Sequence, residues 1–246
     1  MKIIKEILGR VFALWGLIMF VITMLIFFIP FMLFCYFKPD PLKTRRFIAM
    51  SRVWMKVYLT SIGCPLRVKG KENFKAGENY IVVCNHNSLM DIPISSPAIP
   101  GGNKTIAKME FTKVPLFGLL YKTGSVLVDR KSEKSRKESF TKMKEVLNMG
   151  LHMCIYPEGT RNKTNEPLKS FHDGAFKLSV ESGKAILPAV IFHTKKILPA
   201  GKPFYLWPRS MEIHFLPAIQ RKAGDTYLEL KNEVFEIMKN HITTGY

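Results

Sequence analysis

Between Arg10 and Lys38 the chain runs for 27 residues, Val11 to Phe37, without a charged side chain. As a helix this run would extend roughly 40 Å, against ~30 Å for the hydrocarbon core of a bilayer. It offers no polar face to water, so an ordinary soluble core helix explains it poorly. It is also longer than the apolar part of a secretory signal, and no small-residue cleavage site follows it. Pro30 interrupts the run, and a proline inside a helix kinks or breaks it. Lys2, Lys5 and Arg10 precede it, while Lys38, Lys43, Arg45 and Arg46 follow. Basic residues on both sides give no orientation signal. Residues 41–62 then read as an amphipathic helix. Phe47, Met50, Trp54, Val57 and Tyr58 share one side at helical spacing, and Arg45, Arg52 and Lys56 another. Such a pair suits either a monotopic hairpin gripping anionic headgroups or a single spanning helix. Residues 1–63 are therefore expected to be a membrane anchor, and residues 64–246 the domain it carries.

After Gly63 the pattern changes to short apolar runs between polar, periodic segments. Strands are predicted at Leu66–Val68, Tyr80–Cys84, Thr105–Ala107, Ser125–Val128, Met153–Tyr156, Ile186–Phe192 and Met211–Phe215. Helices are predicted over 92–98, 113–122, 135–149, 172–182 and 226–240, with Ser135/Glu138 and Thr226/Glu229 spaced as capping boxes. This alternation predicts a single α/β domain with a central mixed, largely parallel sheet flanked by helices. The charge-dense stretch 129–145 reads as a solvated helix face. The net charge of +18 favours polyanionic partners such as lipid headgroups or phosphorylated substrates. No nucleic-acid-binding module is recognisable, so nucleic acid is not expected as a partner. Cys35, Cys64, Cys84 and Cys154 form no CxxC pair and have no histidine at ligand spacing, which predicts buried free thiols and no metal site.

One segment carries chemistry. The strand Tyr80–Cys84 is followed by Asn85-His86-Asn87-Ser88-Leu89-Met90-Asp91. On one helix His86 and Asp91 would sit about 140° apart and could not touch. If His86 leaves a strand end and Asp91 caps the next helix, the turn residues Asn87 and Ser88 can fold the carboxylate back onto the imidazole. The carboxylate would then fix the tautomer, leaving the other ring nitrogen as a general base. No GxSxG elbow surrounds Ser88, which favours direct attack by a substrate hydroxyl over an acyl-enzyme. Taken alone, one histidine and one aspartate at this spacing are equally explained by a hydrogen-bonded loop.

Three further blocks follow in order: Gly124-Ser125-Val126-Leu127-Val128-Asp129-Arg130, Tyr156-Pro157-Glu158-Gly159-Thr160-Arg161, and Ile186-Leu187-Pro188-Ala189-Val190. With NHNSLMD, this series resembles the motifs of the glycerolipid acyltransferases, most closely the 1-acylglycerol-3-phosphate (lysophosphatidic acid) acyltransferases. It covers roughly residues 66–220. The resemblance implies transfer of a fatty acyl group from a thioester, acyl-CoA or acyl carrier protein, to the sn-2 hydroxyl of lysophosphatidate, giving phosphatidate. It implies His86 as the base and Asp91 as its orienting partner, with Arg130, Glu158, Gly159, Thr160 and Arg161 binding the glycerol phosphate. Lys108 also matches a lysine of the family near the headgroup.

Physical chemistry fits these roles. Arg130 and Arg161 can grip a phosphate through paired N–H groups, and Gly159 lets backbone approach a ligand closely. Glu158 cannot favour a phosphate directly, so it is expected to hold an arginine or a glycerol hydroxyl. No cofactor is expected, because the thioester carries the activation. Leu127, Asn162 and Ala189 depart from the family pattern beside the chemistry, which bears on acceptor and chain-length preference. Asn103 and Asn162 open formal glycosylation sequons, and a glycan on Asn162 would crowd the phosphate site. The chain is therefore expected at a membrane with this domain on the cytoplasmic face. The competing expectations are a sister enzyme with another lysolipid acceptor and a non-catalytic lipid-binding membrane protein.

Overall fold

The computed structural model describes residues 2–129, 131–221, 224 and 226–245. The seven expected runs all become strands: β1 (Leu66–Lys69), β2 (Ile81–Cys84), β3 (Asn103–Lys108), β4 (Ser125–Val128), β5 (His152–Ile155), β6 (Ile186–Phe192) and β7 (Met211–Phe215). They form one sheet in the order β1-β7-β6-β2-β5-β3-β4. Every neighbouring pair is parallel except β6 and β7. The mixed, largely parallel sheet read from the sequence is thus the one observed. Burial explains the composition of its strands. β2 and β5 lie in the middle and are buried at every position, so both read as continuous apolar runs. β1 lies at an edge and alternates, with Arg67 and Lys69 facing out.

Eight α-helices are found among the described residues: α1 (Lys2–Phe31), α2 (Leu42–Ser61), α3 (Asp91–Ala98), α4 (Phe117–Thr123), α5 (Glu133–Asn148), α6 (Gly174–Ser182), α7 (Thr194–Ile197) and α8 (Tyr227–Thr243). The five expected helix starts each shift by one to four residues, two of them for a visible local reason. The helix expected from 135 is capped a turn earlier by Ser132, whose hydroxyl accepts the Ser135 N–H. The helix expected from 113 begins only at Phe117, after a 3-10 turn at Met109–Lys113 and Leu116 at φ +59°. Thr226 and Glu229 form the expected capping box on α8.

The two faces of the sheet have different covers. α5, α6 and α8 pack on one face against Ile81, Val83, Met153, Ile155, Ile186 and Val190. α1 and α2 help cover the other, where Phe31, Phe47, Trp54 and Tyr58 join Val82, Cys84, Leu187 and Ala189 in one cluster. Adjacent residues of β2 point to opposite faces, so Ile81 and Val83 serve one core while Val82 and Cys84 serve the other.

The helical run from Lys2 to Tyr36 is long and apolar enough to cross a membrane, and only 17% of its most apolar window is buried. It continues through Pro30 and widens to a π-helical turn at Met32–Tyr36 before the chain reverses into α2. The two helices form a hairpin. Trp54 Nε1–H donates to Thr23 Oγ1 at 3.0 Å, and Trp15 Nε1–H donates to the Ser61 carbonyl at 3.0 Å. Arg52, expected to meet lipid headgroups, turns inward instead. Its guanidinium donates to the carbonyls of Pro97, Ile99 and Gly101, at and beyond the end of α3. Those carbonyls lie where a helix runs out of partners, and a cation satisfies them.

Candidate active site

β2, β5, β3 and β4 are neighbours and run parallel, so their C-terminal ends share one edge of the sheet. His86 follows β2, the Glu158–Arg161 block follows β5, and Lys108 ends β3. Arg130 comes two residues after β4, and its placement lies outside the described residues. Three blocks far apart in sequence, His86, Lys108 and Glu158–Arg161, therefore converge by topology at the carboxyl end of a parallel sheet, the usual location of α/β sites.

Asp91 is the first residue of α3 rather than its cap, which is Met90. Its side chain folds back on the loop before it. Asp91 Oδ2 accepts N–H bonds from Asn87 at 2.6 Å and Ser88 at 2.7 Å, and lies 2.8 Å from His86 Nδ1. The carboxylate is fully buried, whereas the His86 side chain retains 14% exposure. An oxygen that already accepts two amide protons can only accept from the ring, so Nδ1 carries the imidazole proton and Nε2 is left as a lone-pair base. The ring also lies 4.5 Å from that of Tyr156, whose hydroxyl is 2.7 Å from Ser95 Oγ. Burial pushes the Tyr156 phenol well up, so it stays a neutral wall beside the imidazole.

Among the described residues Glu158 pairs with backbone amides rather than with an arginine. Its carboxylate is buried and straps two loops together. Oε1 accepts the His86 N–H at 2.7 Å, and Oε2 accepts the Lys169 N–H at 3.0 Å. Burial raises its pKa, opposed by the same two amides, which favour the charged form. On the opposite side of the same peptide stretch, the Asn162 N–H donates to the His86 carbonyl at 2.6 Å. Both backbone groups of His86 are thus fixed by the loop after β5. Asn85 fixes the other flank, exchanging hydrogen bonds of 3.0 and 2.7 Å with the backbone of Ile191 in β6.

Arg161, half-buried, precedes Asn162 and so stands beside the His86 loop. Thr160 is exposed, and its hydroxyl accepts from Lys169 Nζ at 2.7 Å. Gly159 has φ +69°, a conformation that favours glycine, and a Cβ there would displace the exposed His172 ring, 2.8 Å away. Lys108 is exposed at the end of β3. The structural roles of Tyr156 and Asn162 and the presence of Lys169 were not legible from spacing. Lys169 stands 11 residues from Glu158 with no pattern between them. Asn162 and Asn103 are both fully buried, so neither sequon presents an acceptor amide in this fold. Among the described residues no group of three metal-binding side chains occurs.

An imidazole at the end of a parallel strand, hydrogen-bonded to a buried carboxylate and with its backbone strapped by a second one, makes this edge of the α/β sheet the candidate site. The comparisons give the fold its family. Residues 65–192 match the Acyltransferase family model, and the chain belongs to that family. It is 35% identical over 135 residues to 1-acyl-sn-glycerol-3-phosphate acyltransferase of Cocos nucifera, covering 54% of this chain and 43% of that protein. It is 30% identical over 184 residues to the chloroplastic enzyme LPAT1 of Arabidopsis thaliana, covering 74% and 50%. The chain spans about half the length of the curated relatives it matches. Its fold matches the crystal structure of the LPA acyltransferase PlsC from Thermotoga maritima with a TM-score of 0.82 at 23% identity, over 97% of this chain and 96% of that one.

Proposed function

We propose that this chain is a membrane-bound 1-acylglycerol-3-phosphate acyltransferase, moving a fatty acyl group from a thioester to the sn-2 hydroxyl of lysophosphatidate. The observation that carries the reading is the His86–Asp91 pair, with Nδ1 held by Asp91 and Nε2 left as acceptor. The names of the relatives supply the acceptor. The outward apolar surface of α1, with Ile18, Ile22, Leu25 and Ile29 exposed along one stripe, supports a seat in lipid, where that acceptor resides.

Arg161 and Lys108, at the ends of β5 and β3, hold the acceptor phosphate, with Arg130 as the further cation that the sequence assigns to it. His86 Nε2 takes the proton of the sn-2 hydroxyl as its oxygen attacks the thioester carbonyl. Asp91, buried and hydrogen-bonded to Nδ1, stabilises the imidazolium that results. When the tetrahedral intermediate collapses, the carbon–sulfur bond breaks and the imidazolium returns its proton to the departing thiolate. Glu158 contributes by keeping the backbone of His86 immobile, so a fixed lone pair meets the hydroxyl.

The test is acyl transfer by the His86→Ala variant, reconstituted in vesicles. Loss of a general base costs roughly 10²–10⁴ in rate, while vesicle association should persist. Near-normal turnover would sink the mechanism. Arg161→Ala should raise KM for lysophosphatidate far more than KM for an acceptor lacking the phosphate. Equal effects on both would remove the phosphate from its assigned place.

A further inference from the structure

On the other side of β2 lies a second basic feature that the mechanism does not use. A cleft of about 490 Å³ is lined by Lys5, Lys195, Lys196, Lys202 and Arg209, with Glu6 as its only acid. Glu6 is engaged by Lys202. The remaining excess of positive charge is large for so small a concavity, and the volume lies within the range of small-molecule sites, roughly 300–1,000 Å³. Lys195, Lys196 and Arg209 are exposed, while Lys5 sits 5.1 Å above the Trp207 ring. The positive field reaches His193, where burial and the charges of Arg209 and Lys196 lower the imidazole pKa.

The cleft is joined to the His86 loop by two contacts. Ser88 Oγ donates to the carbonyl of Leu198, the residue before the cleft-lining Pro199. Lys195 Nζ donates to the carbonyl of Thr164, two residues beyond the Asn162 that holds His86. Topology makes the arrangement two-sided. β5, β3 and β4 lie on one side of β2 and carry Arg161 and Lys108, whereas β6 lies on the other and leads into Lys195 and Lys196. The far wall is the first turn of α1, whose neighbouring Ile3, Ile4 and Ile7 are exposed.

We infer that this cleft binds the phosphorylated nucleotide end of a coenzyme A thioester, placing the acyl donor opposite the acceptor phosphate across His86. The inference rests on the acyltransferase reading for its orientation. Coenzyme A carries a pyrophosphate and a 3′-phosphate, a density of charge that matches several clustered cations. A carrier protein presents one phosphate and a bulky surface, which suits a concave site of this size less well.

The test uses the full chain in vesicles and the double variant Lys196→Ala/Arg209→Ala, both exposed positions. Calorimetry should show coenzyme A binding weakened by about tenfold or more in the variant, and 3′-dephospho-coenzyme A should bind the unaltered chain more weakly than coenzyme A. A tenfold loss corresponds to ~1.4 kcal/mol. KM for acyl-CoA should rise in parallel, with KM for lysophosphatidate changing less than about twofold, and Lys196→Arg/Arg209→Lys should recover most of the loss. Unchanged coenzyme A binding overturns the inference, as does a rise confined to acyl carrier protein or reduced flotation on anionic vesicles with normal coenzyme A binding. The two readings fail separately. Binding lost in the variant without turnover by the unaltered chain leaves the cleft standing and removes the reaction. Turnover with unchanged binding does the reverse.

Discussion

The two covers of the sheet solve the same burial problem with opposite outer surfaces. α5, α6 and α8 bury Met143, Phe176, Leu230, Val234 and Met238 against one face and turn charge outward. On α5 that outward charge forms i,i+4 pairs, Lys137 with Glu133 and Lys134 with Glu138. α1 instead shows apolar side chains on both its inner and outer sides, from Ile3 to Ile29. Water explains the first cover and cannot explain the second. The site lies at the carboxyl edge between them, where Cys84 at the end of β2 belongs to the same cluster as α1 and α2. The proposed chemistry would use that placement, with a rigid sheet to hold His86 and an apolar wall beside it.

If the water-facing cover is an ordinary core, truncation there should cost the most. Phe176 is fully buried, and Phe176→Ala should lower stability by about 3–5 kcal/mol. Denaturant unfolding of the full chain in detergent would measure it. A loss below 1 kcal/mol would mean that α6 is not part of the cooperative fold.

The inner side of the other cover contains a pH-sensitive element. His152 opens β5, stacks on Tyr80 and accepts the Tyr80 N–H at Nδ1. Burial, with the nearby charge of Arg52, lowers its pKa to about 4. The folded pKa is depressed, so the neutral ring contributes stability fully above the unfolded value of about 6.5. That stability is lost as pH falls from there toward 4, by roughly 3 kcal/mol in total. Melting curves between pH 7 and 4 should show the decline, and His152→Asn should flatten it. An equal decline in the variant would assign the effect elsewhere.

Arg52 distinguishes packing from headgroup contact on this same cover. Three carbonyls accept from it. Arg52→Ala should therefore cost roughly 1.5–3 kcal/mol of stability, as expected for hydrogen bonds to a charged group. Flotation on anionic vesicles should barely change. Weaker flotation at unchanged stability would restore the headgroup role.

Arg52 also marks where sequence reasoning runs out. All seven strands were legible as short apolar runs between polar, periodic segments. His86 and Asp91 were legible because their spacing fits a strand end folding back from a helix start. The contacts of Glu158 with the His86 and Lys169 amides were not legible. A carboxylate strapping backbone amides leaves no periodic trace, since the His86 and Lys169 amides it binds belong to any residue type. Arg52 was misread for the related reason that a helical wheel shows which side a cation shares, not whether that side meets lipid or another helix's end. Distance across the fold, rather than local pattern, decides both.

The outer stripe of α1 should give the smallest effect on stability and the sharpest contrast between the covers. Ile22 and Ile29 are exposed, seven residues apart on one side of the helix. Neither contributes to the buried cluster beneath. Ile22→Ser/Ile29→Ser should therefore leave unfolding in detergent within about 0.5 kcal/mol of the unaltered chain, as for surface positions generally. Partitioning into vesicles should weaken, because two large side chains that lipid would cover are lost. Transfer to a lipid-borne acceptor should fall with it, and recover with a short-chain acceptor presented in solution. A large loss of stability would place this stripe in the core. Unchanged partitioning would remove α1 from the bilayer and leave its apolar outer surface to be covered by something other than lipid.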